Sequence, residues 1–567
     1  MLQGNGWGRL LIDLRWVLPA ALCLLAWFTP RLGDPWLGRL ERWGGRFAKR
    51  KWAAVLAVGF AALGLRLALL PILPIPNPDT HDEFSYLLAA DTFAHGRLSN
   101  PPHPIPIFFE TFHELQRPTY QSVYPPAQGA VLAVGELLGH PWIGVLLSMT
   151  LMCGVITWML QAWIPAEWAL LGGILVILRL YLFSYWLETY WGGAVAAIGG
   201  ALVIGALPRI PRYPKARNAV LLGIGVALLA NSRPLEGFIF CLPTAVVLAC
   251  WLLFSKSGNG SQKLRVALPL TAILLFTALG CAYYNRRVTG DAFMLPRALY
   301  QKVRFNFPAF VWQSPGPRLQ YSNPEFEDFY NVVTPREYSR SLGQLTYMKV
   351  HDFWQFFLGT GLTLPLAMIP WLLPDRRVRF LLITFACSAT GLFCVIYFFA
   401  HYAAALTGVI FALLIQCMRH LRRLEISGRP VGLFLTRLVV VLTVVRLGAY
   451  VLHPPSLQEP WSGYRARIAR QLNFSPGDDL ILVRYAPNHN VHHEWVWNSA
   501  DIDHSKTVWA RDIPGVDLKP LLDYFPDRKV WLLDADAVPP RLRPFDRGQA
   551  GAGALASSQT PASRGGP

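Results

Sequence analysis

The sequence predicts a mainly α-helical, polytopic membrane bundle followed by a small α/β domain, and three observations carry that prediction. Hydrophobic residues fill 53% of the 567 positions and charged residues only 15%, which is too apolar for an ordinary soluble chain of this length. Apolar runs of about 20 residues, the length a helix needs to cross a hydrocarbon core roughly 30 Å thick, recur from the N-terminus to residue 452. Lysine and arginine are shared very unequally among the segments that connect those runs.

About twelve spans are predicted, at 12–29, 52–73, 140–162, 168–186, 191–207, 218–231, 237–254, 266–283, 354–373, 380–400, 403–418 and 438–452. The first contains Asp13, Arg15 and Pro19. It is read as a span and not as a cleaved signal, because Arg31 to Lys51 is strongly basic and no small-residue cleavage site follows the apolar run. If successive spans alternate sides, the connections 30–51, 209–217, 256–265, 375–379 and 419–437 share one side and hold 22 Lys/Arg in 65 residues. The two long connections on the other side, 74–139 and 284–353, hold 2 and 9. The positive-inside rule assigns the first set to the cytoplasm and the long loops to the outside. The net charge of +18 is therefore a signature of topology, with no nucleic-acid partner expected. All eight cysteines fall in predicted spans, so no disulfide and no Cys-based zinc site is expected in the outward parts.

The chain divides into an N-terminal span and basic loop (1–51), a membrane domain (52–452), an extracytoplasmic α/β domain (453–545) and a Gly/Ala/Ser/Pro tail (546–567) expected to be disordered. Within the α/β part, the spacing predicts helices over Tyr464–Leu472 and Leu518–Tyr524 and strands over Leu480–Tyr485, Thr507–Ala510 and Lys529–Leu533. The loop 74–139 is stiffened by Asn100-Pro101-Pro102-His103-Pro104, Pro118-Thr119-Tyr120 and Tyr124-Pro125-Pro126, and ends in an apolar, interface-lying segment from Ala127 to Leu138.

Directly beyond the second span stand Asp79, Asp82 and Glu83. Three carboxylates this close repel one another, which raises at least one pKa and suits a general base or a cation site; the bland alternative is a solvated acidic loop. Arg66 and Arg179 sit inside predicted spans, where a lone arginine costs about 2.5–3.5 kcal/mol. Together with Arg233 and the pair Arg286-Arg287 they are candidates for binding a lipid phosphate. His103, Glu110, His113 and Tyr124 in the first loop, and His401 beside Tyr402, are candidates for orienting a substrate. The spacing of His103 and His113 matches no helical metal motif, and His489, His492 and His493 read as turn residues.

The segment His81-Asp82-Glu83-Phe84-Ser85-Tyr86 places an Asp-Glu pair in the first outward loop just after a helix. On that feature, over about residues 52–452, the chain resembles the GT-C superfamily of membrane glycosyltransferases, in particular the family 39-like branch of dolichyl-phosphate-mannose protein mannosyltransferases and bacterial aminoarabinose transferases. Arg97-Leu98-Ser99-Asn100-Pro101, Tyr190-Trp191-Gly192-Gly193, Asn231-Ser232-Arg233-Pro234 and Glu494-Trp495-Val496-Trp497 are similar to segments of bacterial inner-membrane proteins described as glycosyltransferases. The resemblance implies inverting sugar transfer from a polyprenyl-phosphate donor to an unidentified acceptor (glycan, lipid or protein) on the extracytoplasmic face. It implies Asp82 as the base, with Glu83 beside it and Asp79 as a supporting charge. It favours no cofactor, since relatives with a monophosphate-linked donor usually lack a divalent cation. The alternative from another class is a transporter or flippase for a lipid-linked or anionic solute, with Arg66 and Arg179 as pathway charges.

Overall fold

The computed structural model describes residues 24–547 except 183, 257–258, 306 and 454–459. Most of the predicted span 12–29 and nearly all of the predicted tail lie outside the described residues. An amphipathic helix α1 (Asp34–Ala48) leads into α2 (Lys51–Ala68), which is long and apolar enough to cross a membrane. The long loop that follows folds into α3 (His81–Ala94), a two-stranded antiparallel hairpin of β1 (Glu114–Leu115) and β2 (Gln121–Ser122), and α4 (Pro126–Leu137). Then come α5 (Pro141–Leu160), α6 (Ala166–Val176), α7 (Ala194–Arg212), α8 (Ala216–Ala230), α9 (Pro234–Phe254) and α10 (Gly260–Thr289). The second long loop carries α11 (Pro296–Arg304). A bent pair, α12 (Leu342–Phe357) and α13 (Gly359–Leu372), precedes α14 (Arg376–Cys394), α15 (Ala400–Leu421) and α16 (Val431–Leu452).

Among the described residues eight helices are long and apolar enough to cross, or nine if the bent pair is one span. The count is lower than the sequence predicts, for physical reasons. Helix α8 has 15 residues, about 22 Å at 1.5 Å per residue, short of a roughly 30 Å core. The predicted span 168–186 is divided into α6, a π-turn over Ile177–Tyr181 and the short helix Tyr185–Glu188. The predicted span 354–373 breaks at Leu358-Gly359, where Gly359 has φ +59 and the axis turns by 89°.

Helices α7 and α15 form the centre of the bundle, with 83% and 94% of their apolar windows buried, whereas α10 is buried over only 11% and presents the rest to the lipid. Small residues set the helix spacing. A Cβ on Gly144 of α5 would lie 2.2 Å from the Val131 carbonyl oxygen of α4, and one on Gly135 2.3 Å from the Gly144 nitrogen, so α4 and α5 touch backbone to backbone.

The C-terminal domain begins with α17 (Pro460–Asn473) and contains β3 (Asp479–Arg484), β4 (Thr507–Arg511), α18 (Lys519–Tyr524), β5 (Lys529–Asp534) and β6 (Arg541–Pro544). The sheet order is β4-β3-β5-β6, parallel except for the edge strand β6. Near-continuous apolar runs in β3 and β4 fit parallel strands covered on both faces. The segment 486–503, which follows β3, runs back along α3. His81 Nε2 donates to the Val491 carbonyl at 2.7 Å, Trp497 Nε1 to that of Phe84 at 2.9 Å, Tyr120 Oη to that of Asn498 at 3.1 Å, and the Ala500 amide to Asp91 Oδ2 at 2.6 Å. Buried Arg511 joins three parts of the chain: it bonds the Glu110 carbonyl at 2.7 Å and pairs with Glu494 and with Glu325 at 3.5 Å.

Candidate active site

Helix α3 starts one residue before the acidic pair because Thr80 has the extended backbone of an N-cap and its carbonyl accepts the Glu83 amide at 3.0 Å. Asp82 and Glu83 therefore occupy the first helical turn, where the helix dipole favours negative charge. Consecutive helical residues diverge by about 100°, and the two carboxylates go to different places.

Asp82 lines a partly open cavity of about 530 Å³ between the two long loops and the ends of α9 and α15 nearest them. Its side chain keeps 23% of its surface accessible through that cavity and is otherwise packed against the walls. Desolvation raises its pKa to about 6, against the opposing pull of Arg297 and Arg233. Tyr124 Oη donates to Asp82 Oδ1, and His113 Nε2 lies 4.0 Å from the same oxygen. Glu83 is fully buried outside the cavity wall, accepting from Thr80 Oγ1 at 3.2 Å and the Tyr190 amide at 3.4 Å. Burial, followed by the charge of Asp79, pushes its carboxyl well above the usual range. Asp79 thus meets Glu83 and does not line the Asp82 cavity.

His113 has a left-handed backbone, φ +60, held by three bonds. Its amide donates to Tyr300 Oη at 2.9 Å, and its carbonyl accepts from Ser85 Oγ at 2.6 Å and the Val123 amide at 3.2 Å. Non-glycine residues in that region store strain and concentrate at functional sites. Burial and the neighbouring Arg297 hold the imidazole well below its usual pKa, so it is neutral. Arg297 Nη1 stands 3.3 Å from His113 Nδ1, an arrangement in which that nitrogen accepts and Nε2 carries the proton toward Asp82.

The cavity cations are Arg233, stacked at 4.3 Å over the Tyr402 ring, and Arg297, 5.8 Å from the centre of the Tyr124 ring. From the C-terminal domain His492 completes the wall, 3.5 Å from Glu337. His81, stacked on it at 5.8 Å and also in the wall, is lowered by burial to about 3; neutral, it donates through Nε2 to the Val491 carbonyl.

Of the residues singled out from the sequence, the fold brings together Asp82, His113, Tyr124 and Arg233. It places the others elsewhere. Arg66 is fully buried against Glu188 at 3.2 Å, donates to the Leu73 carbonyl at 2.7 Å and stacks over Trp142. Arg179 donates to the Gln355 carbonyl and lines a second hollow of about 700 Å³, which meets the first at Tyr338 and Phe399. The larger hollow is a weaker candidate for the reacting centre, since its lone carboxylate, Asp352, is 54% exposed and lies 3.2 Å from His351. His103 bonds Asp503 at 3.0 Å, Glu110 pairs with Arg304, and His401 bonds Tyr185 at 3.0 Å. Arg286 and Arg287 border a separate hollow beside Tyr283. Arg297, Glu337 and His492 were not singled out for the site. Pro296 at the start of α11 is the signal that could have marked Arg297 as fixed in direction.

Among the described residues one group has metal-ligand character, Asp91, His95 and Glu136, with ligand atoms within 4.8 Å of one another. It lies outside the Asp82 cavity.

No family model and no curated protein matches the chain. Among solved structures it is similar to the Archaeoglobus fulgidus oligosaccharyltransferase tethered with an acceptor peptide containing the NVT sequon, at 12% identity over 85% of this chain and 69% of that one, TM-score 0.45. It is also similar to the archaeal oligosaccharyltransferase AglB from the same organism in complex with an inhibitory peptide and a dolichol-phosphate, at 13% identity over 77% and 62%, TM-score 0.43. A third likeness is to ArnT from Cupriavidus metallidurans bound to undecaprenyl phosphate, at 14% identity over 85% and 91%, TM-score 0.43. At these identities the likeness concerns the fold alone.

Proposed function

We propose that the chain is an integral membrane glycosyltransferase that moves a sugar from a polyprenyl-phosphate donor to an acceptor hydroxyl on the extracytoplasmic face. The observation that carries this reading is one largely desolvated carboxylate, Asp82, in a cavity whose two arginines, Arg233 and Arg297, act on it electrostatically. A base of pKa about 6 is deprotonated at neutral pH yet basic enough to accept a proton in the transition state. Asp82 takes the proton of the acceptor hydroxyl as its oxygen attacks the anomeric carbon. The bond from that carbon to the phosphate oxygen breaks, and the lipid phosphate leaves with the electron pair. Attack and departure on opposite faces invert the anomeric centre. Arg233 and Arg297 neutralise the departing phosphate, so the reaction is assigned to this chain's own side chains, with no divalent cation in the step. Tyr124 and His113 position Asp82.

The test uses purified protein with a labelled polyprenyl-phosphate sugar and envelope extract, wild type against Asp82→Asn. Label transfer by the wild type and its loss in the variant are expected, with no change on chelation of divalent cations. Equal transfer by both proteins removes Asp82 from the base role. Absence of transfer with any donor, together with substrate-dependent flux in vesicles, would establish the transporter in its place.

A further inference from the structure

Helix α1 has two faces with different partners. Its inner edge carries Asp34 and Glu41, seven residues apart and so nearly in line along the axis. Arg437 of α16 bonds Asp34 Oδ1 at 2.8 Å and Glu41 Oε1 at 3.0 Å, and Arg422, just past α15, bonds Glu41 Oε2 at 2.7 Å. These ion pairs fix how α1 is rolled about its axis. Trp36, Leu40 and Trp43 stand on the opposite side within a sector of about 60° at 100° per residue. Each is more than 60% exposed, and Phe47 extends the row by stacking on Trp43. Three exposed arginines, Arg39, Arg42 and Arg46, run along one flank of this row, between it and the ion-paired edge.

What covers the apolar row follows from continuity and charge. The next helix in the chain, α2, is a span by length and composition, mostly unburied, and its own exposed row, Trp52, Leu56 and Phe60, begins four residues after α1 ends. At the other end of α2 the chain goes on to the Asp82 cavity, so α1 lies on the opposite side of the membrane. A helix with an apolar face, a flanking basic edge and a fixed roll matches the interface between acyl chains and anionic headgroups. We propose that α1 is a docking helix for anionic phospholipid in the leaflet opposite the cavity, with Trp36, Leu40 and Trp43 among the acyl chains and Arg39, Arg42 and Arg46 at the phosphates.

The test is competitive native mass spectrometry of the full-length, delipidated protein in detergent with equimolar phosphatidylglycerol and phosphatidylcholine. The wild type is expected to bind the anionic lipid preferentially. Each arginine contributes roughly fivefold, from about 1 kcal/mol per basic residue at a membrane surface. Arg39→Gln/Arg42→Gln/Arg46→Gln is therefore expected to lower the anionic-to-neutral ratio at least about tenfold, and each single variant in proportion, which keeps the result readable if the triple variant fails to fold. Trp36→Ser/Trp43→Ser reduces both adducts and leaves their ratio unchanged. Equal binding of the two lipids by the wild type overturns the proposal. So does a ratio untouched by the arginine variants, which would mean that another segment of the chain or a second copy covers this face. A ratio abolished only by Arg286→Gln/Arg287→Gln overturns it too, by moving the preference to the other leaflet.

Discussion

At the scale of single residues, Asp82 and Arg66 illustrate opposite uses of a buried charge. Replacing Asp82 by Asn is expected to lower sugar transfer by about 10²–10⁴, the usual weight of a general base, and kcat/KM of the wild type should rise with pH and level off above about 6. Because the folded-state pKa of Asp82 is raised, ionising it costs stability as pH climbs through 6. Asp82→Asn should accordingly melt higher than wild type at pH 8, and the difference should vanish below the unfolded pKa, where both states are protonated. Tyr124→Phe removes a donor that favours the charged form, so the acid limb of the rate profile should move up by about one unit, as expected for a hydrogen bond to a charged group. Arg66 belongs to a buried pair with Glu188. Arg66→Ala strands that carboxylate and should cost about 3–5 kcal/mol of stability, measurable as a lower melting temperature. Arg297→Ala should leave the melting temperature near wild type and raise the KM for donor. The sequence displays Arg66 as a charge within a span but says nothing of a partner 122 positions away. Arg297 went unseen for a related reason: among nine Lys/Arg in one loop it reads as a charge that sets topology.

At the scale of elements, most of the bundle was legible because a span is a composition signal: eleven of the twelve predicted runs coincide with apolar elements among the described residues. What periodicity does not reveal is where a run stops being one straight helix, as at Gly359 and at the π-turn over Ile177–Tyr181. The five elements expected in the C-terminal domain all form; the edge strand β6, Arg-Leu-Arg-Pro, lacks the apolar run that marks a strand. The sequence displays Asp82 and Glu83 only as part of an acidic cluster after a span; that the two carboxylates part company follows only once the helix start at His81 is known. The backbone contact of α4 with α5 gives a prediction at this scale. Gly144→Ala drives a methyl into the Val131 carbonyl and must displace α4, which packs on α3 through Gly129, where a Cβ would lie 2.6 Å from that of Ala89. Activity is therefore expected to fall although position 144 is far from Asp82 in sequence, and Gly280→Ala, with nothing within 4 Å of the added methyl, should leave it unchanged.

At the scale of the whole molecule, the two domains are tied through Arg511. Arg511→Met leaves Glu494, and beside it Glu325, without their cation, and removal of one partner of a buried pair costs about 3–5 kcal/mol. Limited proteolysis in the 486–503 segment should accelerate in that variant, while the membrane bundle stays protected. That segment also has a consequence for the order in which the protein is made. The helix carrying Asp82 emerges among the first hundred residues, yet the groups that fasten it, Val491, Trp497 and Ala500, are some four hundred positions later. A nascent chain that has inserted its last span at Leu452 still lacks the strap that fastens the Asp82 helix, so, on the proposed function, transfer is expected to be absent throughout insertion and to start only when the final segment has been made and has folded back onto that helix.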